Sequence, residues 1–201
     1  MPESPEDLYA RVMGVADADG RLPLPPVTTW DIFPWDGDLS VRPLSAPVGA
    51  AEMREGDGGA GCGTCDDPGR NAIWTNERWM VTSTSEPTGM PLVLFLKPKE
   101  HLDYGDLDDD LASECGRISV WLSRIMERLD GIGRTHVYKV GDGGEHLHVW
   151  FFARPARFPQ VRGSSVTEWD DILPPVPEDV WRADLAYVAE HLAHHEGRSL
   201  V

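Results

Sequence analysis

Apolar and polar positions sort the chain into elements before any composition is counted. Leu111, Cys115, Ile118, Leu122, Ile125 and Leu129 recur at alternating spacings of four and three, which predicts one amphipathic helix over about 107–130. Asp108, Asp109 and Asp110 would sit in its first turn, where the helix dipole favours carboxylates, and Gly131 would close it. The run LVLFLK at 92–97 predicts a central strand. Residues 72–75 and 78–84 read as strands flanking a turn at Asn76-Glu77. Residues 134–140 and 146–153 read as a hairpin around Gly141-Asp142-Gly143-Gly144. Trp181, Leu185, Val188 and Leu192 form the buried face of a helix from about Glu178.

These elements predict an α+β fold: an antiparallel sheet of about five strands with one long packed helix. Residues 1–60 form an N-terminal extension, 61–155 the core, and 156–201 a C-terminal extension with its own helix. In the first of these, Ser4 caps a short helix opened by Pro5 and running to about Val15. Pro23, Pro25, Pro26, Pro34, Pro43 and Pro47 then interrupt any long element. The stretch EGDGGAG at 55–61 reads as a flexible lead into the segment that follows.

Composition narrows the function classes. Eighteen Lys plus Arg against 34 Asp plus Glu leave a formal charge of -16, which disfavours nucleic-acid polymers and anionic membranes. There is no apolar run of membrane-spanning length, and MPESPEDLYARVMG lacks a signal-peptide core, so a cytoplasmic protein is expected. Three cysteines, two of them as Cys62-x-x-Cys65, favour metal or redox chemistry over a disulfide framework.

The segment His146-Leu147-His148-Val149-Trp150-Phe151-Phe152 holds most of the candidate chemistry. Strand alternation puts His146, His148, Trp150 and Phe152 on one face and Leu147, Val149 and Phe151 on the other. Two imidazoles so placed bind metal, do chemistry or face solvent. Cys62 and Cys65 have the spacing for one tetrahedral zinc, with His101 and His146 as the nearest candidates for the remaining ligands.

HLHVWFF resembles the H-φ-H-φ-H-φ-φ signature of the histidine-triad (HIT) superfamily, with Trp150 at the third histidine. The order C-x-x-C, strand pair, proline-ending strand with His101, long helix and histidine strand is similar to its galactose-1-phosphate uridylyltransferase branch. The resemblance spans about 62–155. It implies structural zinc on Cys62, Cys65, His101 and His146, and His148 as the nucleophile that forms a covalent nucleotidyl intermediate. The activity implied is a nucleotidyl transferase or hydrolase acting on a nucleoside phosphate ester or nucleotide-sugar. The alternative is a non-catalytic, zinc-containing nucleotide-binding protein. A homodimer is implied by the same analogy.

Trp150 departs from that pattern, because an indole donates one hydrogen bond and moves no proton near neutral pH. It could donate to a phosphoryl oxygen, stack on a base or sugar, or be core. Asn76, Lys97 and Arg154 are further substrate-binding candidates; Lys99, Arg157 and Arg162 lie near the same motifs. Cys115 reads as packing, His136 as structural, and His191, His194 and His195 as an exposed helix end. Trp74, Trp79 and Trp169 could line a base pocket.

Overall fold

A computed structural model describes residues 5–50 and 53–201. The chain divides into two compact units, Met1–Met53 and Arg54–Val201. The first holds helix α1 (Pro5–Met13) and a short 3-10 turn at Pro26–Thr29, with no described residue buried. Its expected cap, Ser4, lies outside the described residues. Arg54 and Glu55 are bonded to the loop that carries His146.

The second unit runs α2 (Gly63–Asp66), β1 (Ala72–Thr75), β2 (Trp79–Ser83), β3 (Leu92–Pro98), α3 (Asp109–Met126), β4 (Ile132–Tyr138) and β5 (Val149–Pro155). It ends with α4 (Val166–Ile172), α5 (Glu178–Ala193) and the two-residue strand β6 (Arg198–Ser199). Six strands form one antiparallel sheet in the order β4-β5-β3-β2-β1-β6, one strand more than the pattern predicted. β6 is too short to carry a period.

Alternation along the strands builds two cores. Leu92, Leu94 and Leu96 of β3, with Val149, Phe151 and Ala153 of β5, face the stripes of α3 (Cys115, Ile118, Leu122, Ile125) and α5 (Trp181, Leu185, Val188, Leu192). The intervening residues, Val93 and Phe95 with Trp150 and Phe152, point to the opposite face. There Met90, Val161, Val166, Trp169 and Leu173 cover part of the sheet as a second, smaller core. The C-terminal segment therefore belongs to the folded unit, clasping both faces. Among the described residues no helix is long and apolar enough to cross a membrane.

α3 is shorter than its apolar stripe. Asp108 is extended and accepts the Leu111 amide at 2.7 Å, so the helix starts after it. At the far end the helix stops at Met126, and Gly131 sits in the following turn at φ +80°. The histidine strand also begins later than expected, at Val149. Upstream, the Glu145 amide donates to Glu55 O and the Leu147 amide to Leu102 O, so this backbone is satisfied by loops instead of by the sheet.

Candidate metal centre and the His148 cavity

Three separate loops bring the four expected ligands together. Cys62 caps α2, its Sγ accepting the Cys65 amide at 3.4 Å; His101 follows β3, and His146 precedes β5. One ligand atom from each of Cys62, Cys65, His101 and His146 lies within 4.8 Å of all the others. Sγ of Cys62 is 3.4 Å and Sγ of Cys65 3.5 Å from Nδ1 of His146, and Sγ of Cys65 is 3.4 Å from Nδ1 of His101. Zinc–sulfur and zinc–nitrogen bonds in a tetrahedron separate S from N by roughly 3.5 Å, so the set fits a closed structural zinc site.

Both imidazoles are held by their outer nitrogens. His146 Nε2 donates to Pro98 O at 2.9 Å, and His101 Nε2 meets Glu145 Oε2 at 3.0 Å, leaving each Nδ1 turned inward. Burial keeps His146 neutral by lowering its pKa, whereas the hydrogen bond to Glu145 raises that of His101. Burial and the adjacent Cys62 sulfur push the Cys65 thiol up to about 11. On Cys62 burial works upward too, but hydrogen bonds from Cys65 and His101 outweigh it and hold its thiol below the ordinary value.

Pattern reading missed the residues that support this centre. Residues 55–61, expected to be a flexible lead, are pinned: Glu55 N donates to Gly143 O at 2.9 Å and Gly58 N to Glu145 Oε2 at 2.9 Å. Gly56, at φ +83°, lies where a Cβ would come 3.2 Å from both Cys62 Cβ and His101 Cε1. Arg54 reaches Asp103 at 2.6 Å and Glu145 at 3.5 Å, and Lys139 reaches Asp103 at 3.1 Å. The available signals were Glu145 adjoining His146 and a glycine run leading into a cysteine pair.

His148 is half-buried two residues after the ligand His146, and its Nδ1–H donates to the His146 carbonyl at 2.8 Å. That bond leaves Nε2 with its lone pair. His148 lines a cavity of about 310 Å³ with Glu55, Thr64, Phe95, Lys97, Gly144 and His146.

The other candidates separate by position. Trp150 stacks on Phe152 (centroids 5.6 Å apart, 3° between planes) and meets Phe95 edge-on at 4.5 Å, and its buried N–H has no partner among the described residues. It packs in the second core and does not line the cavity. Arg154 lies six residues along β5 from His148, roughly 20 Å away, and donates to Pro155 O. Asn76 is consumed by its turn: Oδ1 accepts the Trp79 and Arg78 amides at 2.6 and 3.0 Å, and Nδ2 donates to Glu196 at 2.6 Å. Lys99 bonds to Asn76 O, and of the basic candidates only Lys97 lines the cavity.

Trp74 and Trp79 are fully buried in the main core, and Trp169 packs against the second. Cys115 packs on α3, His136 is half-buried near Tyr138, and His195 stacks on Trp121. Asp103 and Asp106 form a reciprocal cap that accounts for the start of the acidic run.

No family model and no curated protein matches this chain. Among solved structures it is similar to a zinc-bound histidine triad family protein from Mycobacterium smegmatis, at 16% identity over 65% of this chain and 91% of that one, TM-score 0.47. It is likewise similar to a histidine triad protein from Bradyrhizobium japonicum, at 17% identity over 61% and 91%, TM-score 0.47. A uridylyltransferase aligns at 14% identity over 63% of this chain and 43% of its own, TM-score 0.41. The chemistry of the site rests on its own side chains.

Proposed function

We propose that this chain is a nucleotidyl transferase or hydrolase that acts on a nucleoside phosphate ester through a covalent nucleotidyl-His148. In this reading zinc on Cys62, Cys65, His101 and His146 is structural. Four protein ligands complete its tetrahedron, so bound zinc would fix the His101 and His146 loops and leave no open position for substrate.

The observation that carries the reading is the 2.8 Å bond from His148 Nδ1–H to the carbonyl of His146. It selects the tautomer whose Nε2 is a nucleophile, and it makes a metal-ligand residue the anchor of that nucleophile. Nε2 gives its lone pair to the α-phosphorus; the bond to the leaving oxygen breaks, and that oxygen keeps the electron pair. Nδ1 retains its proton throughout, so the intermediate is an N-phosphoryl imidazolium. An acceptor oxygen, from water or a second phosphate, then bonds to phosphorus. The P–N electrons return to Nε2, and a proton from attacking water passes to solvent.

Trp150 favours a second reading, a zinc-containing nucleotide-binding protein without catalysis, because its buried indole provides no group for the leaving oxygen. Intact-protein mass spectrometry after incubation with mixed nucleoside diphosphate sugars and dinucleotides separates the two. The catalytic reading expects an added mass of one nucleotidyl group (a nucleoside monophosphate less water), absent in His148→Ala. Bound nucleotide with no adduct across the panel overturns it in favour of the second.

A further inference from the structure

Resting on the function proposed above, we infer that Lys97 is the cation that receives the phosphoryl oxygens of the substrate at His148. The pattern of β3 sets its position. Val93, Phe95 and Lys97 alternate onto the face opposite the α3–α5 core. The β3–β5 ladder pairs Phe95 with Trp150 and Leu96 with Val149. The ladder ends there, one residue short of each, and Lys97 and His148 line the same cavity just beyond its end.

The surroundings of Lys97 fit a visiting anion. It is half-buried, with Nζ 5.5 Å from the Phe95 ring centroid, and among the described residues no carboxylate forms an ion pair with it. Among the described residues no other Lys or Arg lines this cavity, and its one carboxylate, Glu55, accepts the Gly63 amide at 3.2 Å. A half-buried ammonium with no carboxylate paired to it carries a desolvation cost that a bound phosphate would offset. Trp150, the next residue of β5 on this face, is turned into the second core and brings no donor to the cavity.

Lys97 also lines a neighbouring cavity of about 280 Å³, in which Arg70 and Thr82 lie and which shares Glu55, Thr64 and Phe95 with the first. The Thr82 hydroxyl there is buried and has no hydrogen-bond partner among the described residues. A substrate with its phosphorus at His148 would thus cross Lys97 and extend a polar, hydroxyl-bearing group toward Thr82. A fixed cation at that crossing stabilises charge on the phosphoryl oxygens as the nucleophile arrives, and requires no proton transfer.

The test uses the full chain and two readouts. In the His148→Ala background, inorganic phosphate is titrated against melting temperature at constant ionic strength, with and without Lys97→Met. Phosphate affinity should fall about tenfold or more with Lys97→Met and stay unchanged with Lys99→Met. In the chain with His148 intact, Lys97→Met should slow adduct formation about 100-fold or more, and Lys97→Arg should restore part of it. Unaltered phosphate binding in Lys97→Met overturns the assignment, whatever His148 does. Lost phosphate binding in a protein that forms no adduct keeps Lys97 as the anion residue and removes the catalytic reading alone.

Discussion

Replacing Asn76 with alanine distinguishes a turn lock from a substrate contact, two roles that the sequence left open. The Asn76 amide makes three hydrogen bonds, to the amides of Trp79 and Arg78 and to the Glu196 carboxylate. A neutral hydrogen bond contributes about 1 kcal/mol net, and one to a charged group about 1.5–3 kcal/mol. The Glu196 side chain is 29% exposed, which places its bond at the low end, whereas Trp79 is fully buried and would hold an amide with no replacement partner. Together these losses amount to roughly 2–4 kcal/mol. For a chain of this size that lowers the melting temperature on the order of 10 °C. Thermal unfolding followed by circular dichroism reads this directly, and His148 adduct yield well below the transition should match the unsubstituted protein. An unchanged melting temperature with weakened nucleotide binding would refute the turn assignment and return Asn76 to the substrate.

Two further predictions address the metal and pH. Metal analysis of purified protein should find about one zinc per chain, lost in Cys62→Ser and in Cys65→Ser; full retention in both variants would sink the ligand assignment. Burial raises the pKa of half-buried Asp184 on α5. A raised folded-state pKa means that its contribution to stability is present below the unfolded value and is lost as pH rises through the folded one. Asp184→Asn should therefore raise the melting temperature at pH 7 and give no gain near pH 3, and an equal gain at both would contradict the burial argument.

Much of the site was legible in the chain because the signals were local. A C-x-x-C pair reports its own spacing, and HLHV reports two imidazoles on alternate positions. The same locality explains what was misjudged. Trp150 and Arg154 share a face with His148 by alternation, but one is absorbed by Phe152 and Phe95 and the other is carried down the strand. Asn76 looked available because its partner, Glu196, is 120 residues away. The lead at 55–61 looked loose because its partners, Gly143 and Glu145, lie in another loop.

The sequence by itself determined the α+β class, the central strand, the apolar faces of α3 and α5 and the four candidate ligands. Periodicity and ligand spacing are properties of short segments, and burial of an apolar face follows wherever those segments pack. Only the tertiary structure decided that Glu145 orients His101, that the His146 carbonyl sets the tautomer of His148, and that Lys97 shares a cavity with it. Those relations join side chains through single hydrogen bonds and one shared cavity, and such pairings are specified by the sheet and its loops together.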